Sequence, residues 1–159
     1  MRNANSETQK SGSRRRCRDI MTRNPTTAGR EMNLQQVATL LRDGDMGVLP
    51  VTDASNRLVG IVTDRDIVVR AIADGKGLET TVGDVMTTEL FTVQPDDFVF
   101  QAIRLMGDKQ IRRVPVVAEG ATLQGILSLA DIALEMEDER EIAEALEEIS
   151  SGAAFWSKS

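Results

Sequence analysis

An internal repeat constrains the fold of this chain more than any other feature of its sequence. The stretch RDIMTRNPTTAG begins at Arg18 and the similar stretch GDVMTTELFTVQ begins at Gly83, so that Met21 and Met86 lie 65 residues apart. The same offset, without a gap, superposes Gln36 on Gln101, Leu40 on Leu105, Pro50 on Pro115, Gly60 on Gly125 and Asp66 on Asp131. Because the period is too long for a solenoid and occurs only twice, we predict two copies of one small α/β unit related by pseudo-twofold symmetry.

Each copy has the pattern strand, helix, strand, strand, helix. Apolar residues recur at helical spacing in the first copy at Leu34, Val37, Leu40 and Leu41. The segments VLPVT and RRVPVVA then predict one strand per copy, and LVGIV and LQGIL predict the next. Glycines at 44 and 107 are expected to end the first helix of each copy. The sequence therefore predicts two βαββα units, at residues 18–80 and 81–137.

The two ends of the chain carry opposite charges. Residues 1–18 hold six basic groups against one acid, and residues 135–159 hold eight acids against two basic groups. We predict a disordered basic arm at residues 1–17, which either holds an anion or a partner or is simply a solvated arm. The acidic end, residues 138–159, predicts a helix with carboxylates on one face, followed by a tail.

Composition excludes several classes of function. The chain has no histidine and one cysteine, so an imidazole base, a Cys–His pair and a zinc cage of His and Cys are excluded. A net charge of −6 argues against broad nucleic-acid binding. No apolar run approaches the roughly 18 to 20 residues of a membrane span. The N-terminus also lacks the apolar segment of a signal peptide, so we expect a soluble cytoplasmic protein. Since no phosphate loop, GxGxxG fingerprint or nucleophile elbow is present, we expect that it is not an enzyme, requires no cofactor and holds no metal.

The repeated motifs resemble a tandem pair of CBS motifs, the cystathionine-β-synthase-type modules. The resemblance covers residues 18–137 and rests on DIMT and DVMT, on the LPV and VPV strands, and on GIVTDRDI and GILSLADI. The chain is similar to small stand-alone bacterial CBS-pair proteins, among them the hypoxic response proteins. This resemblance implies two nucleotide-sized clefts between the units, a homodimer, and a bound adenosine derivative such as AMP, ADP, ATP, S-adenosylmethionine or NAD. A chain of this kind would signal in trans to a protein partner that the sequence does not identify.

The junction between the last strand and the last helix of each copy holds the main candidate residues. Free backbone N–H groups at such a junction suit a phosphate or another polar ligand edge. Asp66 can accept hydrogen bonds from both hydroxyls of a ribose, and Thr63 adds a hydroxyl nearby. The family resemblance implies ribose and phosphate contacts at Thr63 with Asp66 and at Ser128 with Asp131. The same Thr/Ser-x-x-Asp spacing is also a capping box that a helix needs without any ligand, and both roles are compatible.

Further candidates surround the two junctions. Arg65 in the first copy, and Arg112 and Arg113 in the second, are candidate phosphate ligands, with exposed strand-edge charges as the alternative. Five residues are expected to flank an adenine, although plain core packing explains apolar residues at these positions equally well: Val48, Leu49, Val114, Thr22 and Thr87.

Two functions remain open from the sequence. One is a regulatory module that senses an adenosine derivative. The other is a non-catalytic dimeric scaffold whose nucleotide sites are vestigial and whose helices bind partners.

Overall fold

The computed structural model describes residues 15–135. The predicted acidic helix and tail at 138–159, and the predicted arm up to residue 14, lie outside the described residues. Residues 15–17 are described, and the prediction of disorder is wrong for them. The Cys17 N–H donates to the carbonyl of Asp97 at 2.8 Å, and the Val99 N–H donates to the carbonyl of Arg15 at 2.9 Å. The Cys17 side chain is buried and packs in the apolar core. The prediction of disorder rests on the basic charge of this segment and does not take this apolar residue into account.

The chain folds into alternating helices and strands, as predicted. In chain order the elements are α1 (Cys17–Ile20), β1 (Thr22–Arg23), α2 (Leu34–Asp43), β2 (Val48–Thr52), β3 (Leu58–Thr63), α3 (Asp64–Ile67), a π-helix (Val68–Ile72), α4 (Val82–Val85), α5 (Val99–Lys109), β4 (Arg113–Val117), a 3-10 helix (Glu119–Ala121), β5 (Leu123–Ser128) and α6 (Leu129–Glu135). No helix within residues 15–135 is long and apolar enough to cross a membrane.

The offset of 65 residues reappears in the backbone. It superposes the bounds of α1 on those of α4, of β2 on those of β4, and of β3 on those of β5. Positive φ angles also recur at this offset, at Asp45 with Gln110 and at Asn56 with Ala121. The two copies therefore share their turns as well as their helices and strands.

One predicted helix end is wrong. The first long helix ends at Asp43 with Gly44 as its C-cap, as predicted. The corresponding helix α5 instead continues through Gly107 to Lys109 and ends where Gln110 adopts a left-handed conformation. Gly107 is buried inside α5, so this glycine does not end the helix.

Two compact units divide the chain differently from the two sequence repeats. We name them after their junction aspartates. The Asp66 unit contains residues 24–90 and 119–123, and the Asp131 unit contains the described residues 15–23, 91–118 and 124–135. The two divisions differ because the first extended segment of each repeat pairs with the last strand of the other repeat. We call these two segments, which lie at Thr22–Arg23 and around Thr87, the exchanged segments.

Backbone pairing documents this exchange within each unit. In the Asp131 unit, β1 is antiparallel to β5, with Thr22 opposite Ile126, and the sheet order is β1-β5-β4. In the Asp66 unit, β2 and β3 form an antiparallel hairpin, and Thr87 forms an antiparallel bridge with Ile61. The residues at 61 and 126, and those at 22 and 87, are equivalent by the repeat offset, so the same exchange occurs in both units.

Each unit has its own apolar core. In the Asp66 unit the buried side chains include Leu34, Val37 and Leu41 from one face of α2, which confirms the helical periodicity of the sequence. In the Asp131 unit the core is built from α1, α5, β4, β5 and α6, and includes Cys17, Val99, Met106, Val114, Leu127 and Ile132.

The glycine in the last strand of each repeat leaves room for the exchanged segment. A Cβ atom at Gly125 would lie 2.5 Å from the Thr22 carbonyl oxygen and 2.9 Å from the Met21 sulfur. At Gly60 it would lie 2.7 Å from the Met86 sulfur and 3.0 Å from the Thr87 carbonyl oxygen. Because real Cβ atoms do not approach a neighbour as closely as 2.5 Å, a side chain at Gly125 would displace the paired backbone. At Gly60 the flexible Met86 side chain would have to move and the Thr87 backbone would shift slightly.

We expect Gly125→Ala and Gly60→Ala to lower the free energy of unfolding by about 1 to 3 kcal/mol each, the usual cost of overpacking. Gly125→Ala should cost more, because its closest neighbour is a backbone oxygen rather than a flexible methionine. Urea unfolding measures both. Gly77→Ala is the matched control, since a Cβ there meets nothing within 4 Å, and an equal loss in the control would contradict the explanation.

Cys17 is a free thiol buried in the folded protein. Burial raises the pKa of the Cys17 thiol to about 12, and the negative charge of Asp97 adds to the rise. At neutral pH the side chain is therefore a protonated, buried apolar group, and thiolate chemistry at this position is suppressed.

We expect Ellman's reagent to leave the native protein unmodified at neutral pH and to react with one thiol per chain after unfolding in urea. Rapid modification of the native protein would show that α1 opens readily and that the burial of Cys17 does not persist in solution.

Candidate functional site

The junction between β3 and α3 is closed by a reciprocal pair of hydrogen bonds. The Asp66 N–H donates to Thr63 Oγ1 at 3.0 Å, and the Thr63 N–H donates to Asp66 Oδ2 at 3.0 Å. This is a complete capping box, so the structural role left open by the sequence exists in the Asp66 unit. The cap uses one acceptor position of the carboxylate and leaves the others for further partners.

Two other side chains approach the carboxylate of Asp66, a residue that is only 9% exposed. The Thr87 hydroxyl lies 3.3 Å from Oδ1 and 3.4 Å from Oδ2, and donates to this carboxylate. Arg70 Nε lies 3.7 Å from Oδ1 in an ion pair. Arg70 Nη1 also donates to the carbonyls of Val85 and Met86, at 3.4 and 3.2 Å. The exchanged segment thus completes the surroundings of Asp66.

Sequence reasoning missed Arg70. The signal was present, because a basic residue four positions after an acid on one helix lies next to it. Arg65, the candidate phosphate ligand of the first copy, is exposed, and its backbone N–H donates to Asp64 Oδ1 at 2.8 Å. Of these two arginines, the structure places Arg70 in contact with the Asp66 carboxylate.

The corresponding junction between β5 and α6 forms only half of the capping box. The Asp131 N–H donates to Ser128 Oγ at 3.0 Å. Asp131 is half-buried, and among residues 15–135 no hydrogen bond or ion pair to its carboxylate is formed. The residue equivalent to Arg70 is Glu135, whose carboxylate lies 3.3 Å from Arg15 Nη1. The two junctions therefore share a backbone geometry and differ in charge.

One candidate phosphate ligand of the second copy, Arg112, is joined through its backbone to the Asp131 junction. Arg112 and Arg113 are exposed, and Arg113 begins β4. The Leu129 N–H donates to the Arg112 carbonyl at 2.8 Å, which ties the backbone of Arg112 to the start of α6. In the Asp66 unit, the equivalent bond runs from the Asp64 N–H to the Gly47 carbonyl at 3.2 Å. A cationic residue is therefore present at this position in the Asp131 unit and replaced by glycine in the Asp66 unit.

The candidate adenine-flanking residues divide into two groups. Leu49 and Val114 are 0% exposed and lie in the two apolar cores, as the packing alternative predicts. Val48, Thr22 and Thr87 retain exposed surface. Val48 lies opposite Thr63 in the β2–β3 hairpin, and Thr22 lies opposite Ile126 in the β1–β5 pair. These three residues are placed beside the junctions, whereas Leu49 and Val114 present no surface to a ligand.

The described part of the chain contains no group of three or more His, Cys, Asp or Glu side chains able to share a metal ion. The chemistry that the junctions offer is hydrogen bonding, from carboxylates and hydroxyls, together with nearby guanidinium charge.

Comparison with known proteins finds relatives of similar length. The CBS domain-containing protein YhcV of Bacillus subtilis is 35% identical over 133 residues, which cover 84% of this chain and 94% of that protein. Hypoxic response protein 1 of Mycobacterium tuberculosis is 37% identical over 117 residues, which cover 73% of this chain and 81% of that protein.

Solved structures give the same result. Hypoxic Response Protein I, solved with two coordinated zinc ions, matches with a TM-score of 0.71 and 35% identity, over 77% of this chain and 99% of that one. The CBS domain pair of MJ0100, in complex with 5'-methylthioadenosine and S-adenosyl-L-methionine, matches with a TM-score of 0.67 and 29% identity, over 76% and 94%. CBSX2 in complex with AMP matches with a TM-score of 0.67 and 26% identity, over 75% and 93%.

The model of the CBS domain matches this chain twice, at residues 17–72 and 82–138, which together make up more than half of its length. These two ranges coincide with the two copies of the repeat, and the relatives match across both of them. The protein is therefore a member of the CBS-domain family and carries its two domains as a tandem pair.

Proposed function

We propose that this chain is a non-catalytic regulatory module that binds an adenosine-containing ligand and transmits its occupancy to another protein. Asp66 and Asp131 are the proposed acceptors of the ribose hydroxyls. Thr63 and Ser128 are proposed to contact the ligand beside them, and Arg112 with Arg113 to balance phosphate charge.

The observation that carries this proposal is the repeated junction. Asp66 and Asp131 occupy the same position, three residues after a hydroxyl residue that caps the helix. In the Asp66 unit the exchanged segment brings a further hydroxyl, that of Thr87, to the carboxylate. A carboxylate with two oxygens accepts the two hydroxyls of a ribose diol, and charge-assisted hydrogen bonds of this kind contribute about 1.5 to 3 kcal/mol each.

The ligands of the structural neighbours support an adenosine compound. The MJ0100 domain pair binds 5'-methylthioadenosine and S-adenosyl-L-methionine, and CBSX2 binds AMP. These three compounds share the adenosine group and differ in what is attached to it. We therefore propose a ligand from the set AMP, ADP, ATP, S-adenosylmethionine and NAD, with the adenosine part recognised at the junctions.

Signalling requires a difference in affinity between two states of the module, because a ligand that binds both equally shifts nothing. We propose that the module works as a homodimer and acts on a separate protein. Val68, Val69 and Ile72 are exposed apolar side chains on the π-helix that follows Asp66. They offer a contact surface directly connected to the proposed site.

One observation favours a second function, a dimeric scaffold with vestigial sites. The Asp66 carboxylate is already engaged by Thr63, Thr87 and Arg70. A carboxylate satisfied by its own chain can have a purely structural role.

A ligand panel separates the two functions. We expect at least one of AMP, ADP, ATP, S-adenosylmethionine and NAD to raise the melting temperature of protein freed of co-purified ligand. At a hundredfold excess over Kd, binding adds about 2.7 kcal/mol of apparent stability. Asp66→Asn combined with Asp131→Asn should abolish the response, since an amide cannot accept both hydroxyls of a diol with two oxygens.

The aspartate variants also reveal a purely structural role. If no compound stabilises the wild type, and Asp66→Ala only lowers stability by the roughly 0.5 to 2 kcal/mol of a lost helix cap, the sensing function is wrong and the scaffold is favoured. Isothermal titration calorimetry with the stabilising compound checks that the thermal shift reports binding.

A further inference from the structure

The carboxylates of Asp66 and Asp131 differ in the number of hydrogen-bond and ion-pair partners that the described residues provide. The Asp66 carboxylate accepts from the Thr63 N–H and the Thr87 hydroxyl, and forms an ion pair with Arg70. Within the described range 15–135, the Asp131 carboxylate has no such partner. Before any ligand binds, the carboxylate of one proposed site therefore already has partners among the described residues, and that of the other has none among them.

Arg70 is fixed at two points. Its Nε faces Asp66 Oδ1 at 3.7 Å, while its Nη1 donates to the carbonyls of Val85 and Met86. These carbonyls lie at the C-terminal end of the four-residue helix α4, where the last carbonyl groups of a helix have no partner within it. The two carbonyl groups therefore stabilise the guanidinium beside Asp66, even though half of the Arg70 side chain is exposed.

Arg70 has no cationic counterpart in the other repeat. The equivalent position is Glu135, and its side chain pairs with Arg15 at 3.3 Å. An acid at this position cannot form an ion pair with Asp131. The competition that Arg70 imposes on Asp66 is thus a property of one repeat, although the backbone of the two junctions is the same.

Ribose binding needs acceptor capacity on both carboxylate oxygens. Asp66 Oδ2 is used by the Thr63 N–H, and Oδ1 faces both Thr87 and Arg70. These partners take up acceptor positions that, among residues 15–135, remain open on Asp131, so a diol at Asp66 must compete with Arg70 for Oδ1, and that competition reduces the net binding free energy.

We propose that Arg70 is an internal competitor of the ligand at Asp66, so that the Asp131 site binds adenosine compounds more tightly and fills first. This inference rests on the proposed function and assigns the order of its two sites. Arg70 acts here as a positioning residue, through Asp66.

The test uses two probes, AMP and 5'-methylthioadenosine, in calorimetric titrations of the full chain. Wild type should show two unequal sites. Asp131→Asn should remove the tighter site with a loss of at least about tenfold, as for the loss of charge-assisted hydrogen bonds. Arg70→Gln should tighten the weaker site by about two- to fivefold for both probes, the factor that a partly exposed ion pair provides.

Two control variants accompany the test. Arg70→Lys retains the positive charge, so both affinities of this variant should be close to those of wild type. Arg42→Gln removes an exposed ion pair with Asp43 elsewhere in the Asp66 unit and should leave both affinities unchanged. A damaged fold lowers affinity, so tighter binding by Arg70→Gln is a response that a purely structural role does not produce.

Three results overturn the inference while leaving the proposed function intact. Unchanged or weaker binding by Arg70→Gln would show that Arg70 does not compete with the ligand. Weaker binding of AMP alone would show instead that Arg70 contacts phosphate. Loss of the tighter site in Asp66→Asn rather than in Asp131→Asn would reverse the order of the sites. If neither probe binds any variant, the inference fails, and the proposed function fails with it when no compound of the ligand panel binds either.

Discussion

Backbone pairing between the first segment of one repeat and the last strand of the other is the interaction on which both candidate sites depend. In the Asp66 unit the Ile61 N–H donates to the Thr87 carbonyl at 2.9 Å, and the Thr87 N–H donates to the Ile61 carbonyl at 2.8 Å. This pairing passes over Gly60 and brings the Thr87 hydroxyl to Asp66. The contact is made by main-chain atoms. It therefore requires glycine at position 60, whereas the side chains at the neighbouring positions can vary.

That tolerance explains how the repeats keep one fold and diverge in charge. The bond from the Asp64 N–H to the Gly47 carbonyl has its counterpart between Leu129 and Arg112. Main-chain hydrogen bonds do not depend on which side chains flank them, so an acid and a glycine in one unit become a leucine and an arginine in the other. Arg70 and Glu135 illustrate the same divergence one helical turn after the junction aspartates. Charge around the carboxylates is thus the variable part of this architecture.

Sequence patterns predicted the parts of the fold that depend on local chemistry. Hydrophobic periodicity located α2, and the Thr63-x-x-Asp66 spacing located the cap at the start of α3. The exchange of first segments was not predictable, because a two-residue strand does not encode which copy it will pair with. The contact between Thr87 and Asp66 was missed for the same reason, because Thr87 reaches Asp66 through that exchange. The i,i+4 spacing of Asp66 and Arg70, by contrast, was present in the sequence. For Leu49 and Val114 the sequence left two interpretations open, contact with an adenine and packing in the core. Only the three-dimensional structure shows that both side chains are buried in the cores.

The exchanged segments also bear on how a duplicated chain of this kind can arise. A polypeptide holding a single copy of the repeat would have no second copy to supply the segment that pairs with its last strand, and the exposed strand edge would be free to pair with the first segment of another chain. Two identical single-copy chains would complete each other by trading first segments, which is domain swapping between protomers. Fusion of two such genes would turn that intermolecular exchange into an intramolecular one and replace a concentration-dependent assembly by a covalent one. The register of 65 residues without a gap is what such a fusion would leave behind.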